Sequence, residues 1–310
     1  MASSGLSCIL NRSSGCHPGP ELCEKLSRIF AETGTPARIH LASSGAEIPE
    51  LARRAVKENS QIIVAGGGDG TVNAVANELM GTSITLGVLP LGTLNHFSKD
   101  MQIPQDLEDA ARNLITGRAV PVDVGEVNGR FFINNSSLGI YPHIVRLREE
   151  QQNKTGRKKW VAFVQALFSV LKHYSFLRVD LRVNGKQLSC ETPLVFVGNN
   201  KYEMEGLNIG RRRRLDAGEL CLFVTNGVRR SDLVRFAFLA LVGRLHDARD
   251  FDVLITDQVS IDTRRPLANV STDGEVIQVN TPLHYVTHPG ALRVIVPAKT
   301  SRGPHLIHSK

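Results

Sequence analysis

The sequence predicts an α/β domain followed by a β-rich one, on three observations. The first third alternates short apolar runs with helix-period segments, which is how a parallel sheet flanked by helices reads. After about residue 120 most of the chain falls into short, often alternating runs separated by turn residues, the texture of an antiparallel sandwich or barrel. Between an apolar run and an amphipathic one lies a glycine-rich junction, IIVAGGGDGTVNAVANELM, residues 62–80.

Taken in order, LSCIL (6–10) predicts a strand, and Leu22, Leu26, Ile29 and Phe30 define one face of a helix. RIHLA (38–42) predicts a second strand and IPELARRAVKE (48–58) a helix. QIIVA (61–65) reads as a buried strand, followed by the glycine loop and the helix TVNAVANELM (71–80). ITLGVLP (84–90) is another strand, and LEDAARNLITG (107–117) a helix closed by a C-terminal glycine. Two helical patterns follow, WVAFVQALFSVLKHY (160–174) and LVRFAFLALV (233–242). The remaining runs are strand-like: LRVDLRV, LSCETPLVFVG, ELCLFV, DVLIT, VSIDT, EVIQV, LHYVT and LRVIV. A sheet of the first kind binds ligands at its strand C-termini, and a cleft beside a second domain is a common place for one.

Composition narrows the partners. The 310 residues carry 37 Lys and Arg against 30 Asp and Glu, a net charge of +7, which favours anionic partners or merely solubility. Nucleic acid ranks last, because the basic residues join no recognisable binding motif or stacking aromatics. The five cysteines are scattered without metal-ligand spacing, which suits reduced thiols in a cytoplasm. No signal peptide is evident at MASSGLSCILNR, and the longest apolar run, FAFLALVG from Phe236, is too short to cross a membrane. A membrane partner would therefore be met from its surface, at the inner face.

Gly66-Gly67-Gly68-Asp69-Gly70-Thr71 follows a buried strand and opens a helix, the context in which backbone N–H groups and a helix N-terminus cradle phosphate. It is neither GxxxxGK[ST] nor GxGxxG, and a tight turn that packs strand on helix is the simpler alternative. A second loop, LPLGTLNHFSKD (89–100), leaves the next strand; there Gly92 permits close backbone approach while Thr93 and Asn95 offer a hydroxyl and an amide. Asp273-Gly274 lies between alternating runs as a hairpin turn would. RRRRLDAGEL (211–220) is the densest charge; a solvated loop is its usual explanation, anionic lipid or nucleic-acid phosphate the alternatives. The helical pattern 160–174 follows the basic stretch NKTGRKK (153–159), so it is either core-facing or a lipid-facing wall.

GGGDGTVN followed by PLGTLNHF resembles the diacylglycerol-kinase catalytic-domain family, which includes bacterial lipid kinases and the sphingosine and ceramide kinases, with NAD kinases as distant relatives. Asn11 with Gly15 resembles its N-P-x-[SA]-G loop, with Arg12 where proline is usual; VDVGEVNGRFFINNSSLG (122–139) and NVSTDGEVIQV (269–279) resemble later segments. The resemblance implies an α/β nucleotide-binding domain at residues 1–127 with a returning segment 291–300, a β-sandwich acceptor domain at 128–290, the active site in the cleft between them, and a loose tail at 301–310. It implies an ATP-dependent lipid kinase in which Asn11, Gly66, Gly67, Gly68, Asp69, Gly70, Thr71, Val72, Asn73, Gly92, Thr93 and Asn95 handle ATP. It makes Glu275 the catalytic carboxylate, with Asp273 assisting. A carboxylate beside a triphosphate is repulsive unless Mg²⁺ or a water-linked network lies between them, so Asp69 is expected to face that network or else to cap its helix. Asp216 is a further metal candidate, displaced by one position from the family's D-G-x-L element. His96 stands where many relatives carry aspartate, which alters the polar network there. The acceptor is a lipid hydroxyl or, as the alternatives, a soluble acceptor or none at all in a non-catalytic sensor. No stable protein partner is expected, and a homodimer is left open.

Overall fold

In the computed structural model, described for residues 5–139, 176–205, 208–225 and 251–298, the chain divides into two compact units. Residues 5–68, 83–120 and 293–298 form the first; residues 69–82 and 121–292 supply the second. The helical patterns at 160–174 and 233–242 and the basic stretch 153–159 lie outside the described residues.

The first unit is the expected alternation. Strand β1 (Leu6–Asn11) leads through α1 (Pro20–Glu32) to β2 (Ala37–Ala42), α2 (Ile48–Lys57) and β3 (Ile62–Gly67). After α3 (Asp69–Leu79), which groups with the second unit, come β4 (Thr85–Pro90), α4 (His96–Asp100) and α5 (Leu107–Thr116). The strands pair in parallel in the order β2-β1-β3-β4. The inner strands β1, β3 and β4 are nearly continuous apolar runs because both their faces are covered, while the edge strand β2 carries Arg38 and His40 and is only partly buried. The core gathers Leu6, Cys8, Leu10, Val64 and Leu89 from the sheet against Leu26, Ile29, Phe30 and Leu114 from helices. Helix α5 begins where Asp106 caps the N–H groups of Glu108 and Asp109. It ends at Gly117, but not through a left-handed cap: Gly117 is extended, at φ −73° and ψ 179°. A Cβ there would lie 2.5 Å from the Asn113 carbonyl oxygen and 2.6 Å from that of Val296, so close packing explains the glycine.

The second unit continues with β5 (Arg118–Val127), β6 (Arg130–Phe132), β7 (Asn135–Gly139), β8 (Leu177–Val183), β9 (Lys186–Thr192) and β10 (Leu194–Asn199). Strands β11 (Tyr202–Glu205) and β12 (Asn208–Arg212) form a hairpin, followed by β13 (Leu220–Thr225), β14 (Phe251–Thr256), β15 (Gln258–Asp262), β16 (Leu267–Thr272), β17 (Glu275–Asn280) and β18 (Leu283–Val296). One antiparallel sheet runs β14-β13-β10-β7-β16-β17; β15, β8, β9 and the first part of β18 belong to another. Inner-face residues of both, including Leu138, Val195, Leu222, Val270, Leu181, Ile261 and Tyr285, make one core. A sandwich, not a barrel, is the outcome.

Two boundaries differ from the sequence reading. LSCETPLVFVG is two strands, because Pro193 cannot continue the ladder. LHYVT and LRVIV are one strand, β18: His288-Pro289-Gly290, which reads as a turn, is carried within it, with Gly290 at φ 63°. Its last residues pair in parallel with β4 (Arg293 with Thr85, Val294 with Leu86), so the chain does return to the first unit. Among the described residues no helix is long and apolar enough to cross a membrane.

Candidate functional site

Three loops of the first unit meet at the C-terminal ends of β1, β3 and β4. Leu91 ties them together: its N–H donates to the Gly67 carbonyl at 3.0 Å, and its carbonyl accepts from the Cys16 N–H at 3.2 Å. The loop after β1 turns on Asn11, whose Oδ1 accepts from the Ser13 N–H at 3.0 Å and whose carbonyl accepts from the Ser14 N–H at 3.0 Å. Gly15 lies against Thr93: a Cβ on it would be 3.0 Å from Thr93 Oγ1. The tightest approach is Gly92 to Gly68, where a Cβ on Gly92 would stand 2.3 Å from the Gly68 Cα and 2.7 Å from Asn95 Oδ1. None of Gly66, Gly68, Gly70 and Gly92 has a positive φ, so it is close approach, not backbone conformation, that requires glycine at Gly92. Gly66 has a separate reason, its missing side chain making room for Leu10 and Leu91.

The second loop contains the short α4, entered through Asn95 in the left-handed conformation (φ 52°, ψ 47°). The Asn95 amide donates to the carbonyls of Gly92 at 2.9 Å and Pro90 at 3.3 Å, so it shapes the turn. Its Oδ1 is buried without a hydrogen-bond partner among the described residues, as is Ser14 Oγ in the first loop. Buried polar atoms of native proteins are normally paired, so a water or a polar ligand beside these two atoms would satisfy them. Thr93 and His96 are exposed, while Gly67 is buried.

Asp69 and Gly70 are the first two residues of α3, which starts two residues earlier than the apolar pattern suggests. An acid in the first turn is favoured by the helix dipole. Thr71, Val72 and Asn73 are buried along this helix, and Asn77 donates to the Asn73 carbonyl at 2.9 Å and to that of Phe131 at 3.3 Å.

In the second unit the Asp-Gly turn is a hairpin between β16 and β17, with Thr272 opposite Glu275. Asp273 (φ 47°) and Gly274 (φ 91°) are both left-handed, as a type I′ turn demands. Glu275 is exposed at the strand end. Asp273 is not free to assist it: its Oδ2 accepts from Ile133 N–H at 2.7 Å, and its Oδ1 from Asn134 and Asn135 N–H at 2.8 and 2.9 Å. Burial pushes its carboxyl up to about 6, against the lowering effect of those three amides and of Arg212.

Arg212 is the departure that sequence reasoning missed. Within a run that reads as a solvated loop it is 2% exposed. Its guanidinium donates to the carbonyls of Ile133 at 2.7 Å and Asn199 at 3.1 Å and to Asn134 Oδ1 at 2.6 Å, and it lies 5.3 Å from the centre of the Tyr202 ring. Alternation along the β11–β12 hairpin was the available signal: YEME and NIGRR are short strands hidden by charge. Asp216 is exposed and ion-paired with Arg214 at 3.0 Å. Nearby the buried carboxylate is Asp123, which accepts from Gly218 N–H at 2.6 Å and Gly290 N–H at 2.8 Å. No cluster of three or more potential metal-ligating side chains occurs among the described residues.

One face of the β14-β13-β10-β7-β16-β17 sheet carries a mixed row. Pairing places Val276, Ser271, Ser137, Phe196, Phe223 and Val253 side by side, with Ser271, Ser137 and Phe223 buried and Val253 exposed. Phe196 packs edge-on against Phe223 at 5.8 Å and Tyr202 at 5.4 Å.

Residues 6–127 match the family model of the diacylglycerol kinase catalytic domain, and residues 144–296 that of the YegS C-terminal NAD kinase beta sandwich-like domain. The chain is 28% identical over 242 residues to a diacylglycerol kinase of Bacillus subtilis (strain 168), covering 76% of this chain and 78% of that protein. It is 37% identical over 123 residues to a "Probable lipid kinase YegS-like" of Klebsiella pneumoniae (strain 342), covering 39% of this chain and 41% of that one. A diacylglycerol kinase crystal structure from Bacillus anthracis str. Sterne shares the fold, with a TM-score of 0.68 over 94% of this chain and 97% of that chain at 21% identity.

Proposed function

Because the chain belongs to the diacylglycerol kinase catalytic-domain family, we propose that it transfers the γ-phosphate of ATP to a hydroxyl of a lipid acceptor of the diacylglycerol type. The observation that carries this reading is the junction of the three loops, where Gly92 meets Gly68 and Ser14 Oγ and Asn95 Oδ1 are left unpaired. Backbone amides of glycine loops suit a polyphosphate, the Thr93 and Ser14 hydroxyls suit phosphate or sugar oxygens, and Asn95 Oδ1, which only accepts, suits a sugar hydroxyl. Glu275 is the proton acceptor: as the acceptor oxygen forms its bond to the γ-phosphorus, the bond from that phosphorus to the β–γ bridging oxygen breaks. The hydroxyl proton passes to the carboxylate, and ADP leaves. Alignment and charge neutralisation supply most of the acceleration.

Mg²⁺, when bound, supplies divalent charge across the phosphates. It usually keeps waters and takes one or two carboxylates plus phosphate oxygens, so a single Asp69 at a helix start fits that need without a protein-only cage. Asp216, committed to Arg214, is the weaker ligand.

The relatives' names, diacylglycerol kinase and lipid kinase, favour a lipid acceptor. The β-sandwich model's kinship with NAD kinase keeps a soluble acceptor as the second reading. Purified protein incubated with γ-labelled ATP, Mg²⁺ and either mixed micelles of diacylglycerol or NAD distinguishes them. Labelled lipid is expected; label on NAD alone supports the second reading, and label on neither, nor on a total lipid extract, ends both.

A further inference from the structure

We infer that Arg212 is a positioning residue for phosphoryl transfer: it holds the strip Ile133–Asn135, whose amides fix the Asp273 carboxylate and with it the turn presenting Glu275. The inference rests on Glu275 acting as the proton acceptor proposed above.

The argument lies in which atoms share a peptide group. The Ile133 carbonyl and the Asn134 N–H belong to one. That carbonyl accepts from Arg212 at 2.7 Å and from the Asn199 side chain at 3.0 Å, while the N–H donates to Asp273 Oδ1 at 2.8 Å. The next peptide group repeats the arrangement: the Asn134 carbonyl accepts from Tyr202 OH and Asn199 N–H, both at 2.9 Å, and the Asn135 N–H donates to Asp273 Oδ1 at 2.9 Å. One peptide dipole is thus lined up between the buried Arg212 cation and the half-buried Asp273 carboxylate, which do not need to touch, and the next runs from Tyr202 OH and the Asn199 N–H to the same carboxylate. Such chains polarise one another, and each bond strengthens the next.

The fork of the guanidinium is what the site uses. One nitrogen serves the carbonyls of Ile133 and Asn199 and the other serves Asn134 Oδ1, while the guanidinium carbon lies over the Tyr202 ring. Lysine keeps the charge but not this geometry. At the far end, the turn is a two-residue connection, so displacement of Asp273 is passed directly to Glu275. A displacement of about 1 Å in a reacting group costs on the order of 100-fold.

The test compares wild type, Arg212→Lys and the milder Tyr202→Phe, each with and without Glu275→Gln. Thermal unfolding and calorimetric Mg·ATP binding are measured beside transfer of labelled phosphate to diacylglycerol micelles. Arg212→Lys is expected to fold, to bind ATP within about 2-fold of wild type, and to lose about 10–100-fold in kcat with KM for ATP unchanged. Tyr202→Phe, which removes only the phenolic hydroxyl that donates to the Asn134 carbonyl, should lose a few-fold and keeps the question answerable if the lysine variant does not fold. In the Glu275→Gln background both losses should shrink below about 2-fold, because both act through that carboxylate. Equal losses in the two backgrounds, or a kcat that merely follows the folded fraction, overturn the proposal. Wild type that transfers no phosphate to any lipid overturns the reading beneath it as well, and that control identifies which has failed.

Discussion

The loops after β3 and β4 are built around a contact that no side chain can share. Gly92→Ala would set a methyl 2.3 Å from the Gly68 Cα, and that neighbour is backbone. Overpacking of this kind costs about 1–3 kcal/mol, and the loops must part. ATP affinity measured by calorimetry should fall at least about 10-fold while circular dichroism stays native. Gly70→Ala is the contrasting change: nothing lies within 4 Å of its absent Cβ, and it lies in the first turn of α3. Stability should rise by up to about 0.5–1 kcal/mol. Lowered ATP affinity in that stabilised variant would mean that phosphate, not packing, requires the glycine. Asp273 has a pH signature. Its folded-state value, about 6, is above the usual carboxylate value, so the folded state holds the proton more tightly than the unfolded chain between about pH 4 and 6. Its contribution to stability is therefore present below about pH 4 and lost as pH rises through 6, a swing of up to about 3 kcal/mol. Urea unfolding across that window should show it in wild type and not in Asp273→Asn. The glycines and the Asp-Gly turn were legible as residues, because each type has few conformational uses. The burial of Arg212 was not, since charge in a sequence says nothing of which carbonyls surround it.

At the level of elements, legibility followed the clarity of the period. Strands β1 to β4 and helices α1, α2 and α5 emerged within a residue or two, because continuous apolar strands and amphipathic helices have distinct repeats. Strands β5, β6 and β7 did not emerge from pattern. Their segment, 118–139, mixes buried polar residues such as Asp123, Asn134 and Ser136 with apolar ones, and these polar groups find their partners only in distant parts of the chain. Strand β18 was read as two runs because Pro289-Gly290 signals a turn; the structure uses the pair as a bend inside one strand. Gly290 adopts φ 63° and donates its N–H to Asp123, which also receives the Gly218 N–H. Asp123→Ala would leave two amides without their acceptor, at a cost of about 1–3 kcal/mol each. Denaturant unfolding should place this variant well below Asp216→Ala, whose exposed pair with Arg214 is worth little. If the Asp216 variant is the less stable, the Asp123 account fails.

Across the whole molecule, the sequence pattern predicts both layers but not how the chain is shared out between them. Strand β18 is the shared piece: Leu283 and Tyr285 belong to the core of the second unit, and Ile295 to that of the first. Val294 and Ile295, in the first unit, are nearly fully buried, and burying each contributes about 1.5–3 kcal/mol. Their sum is a large share of the stability of an ordinary domain, about 5–15 kcal/mol. A chain ending after Pro289 should therefore lose the first unit while the second keeps Leu283, Tyr285 and the strands they pack on. Limited proteolysis followed by mass spectrometry should yield protected peptides from 177–199 and 258–289 and rapid cuts within 5–68. Mg·ATP, which at 100 times its Kd stabilises a binding-competent protein by about 2.7 kcal/mol, should no longer raise the melting temperature of the shortened chain. Supplying residues 290–298 again should restore that response, because β4 regains its parallel neighbour at Arg293 and Val294. Should the shortened chain still bind the nucleotide, the glycine loops would not depend on this strand, and the first unit's core would have to be closed from within residues 5–120.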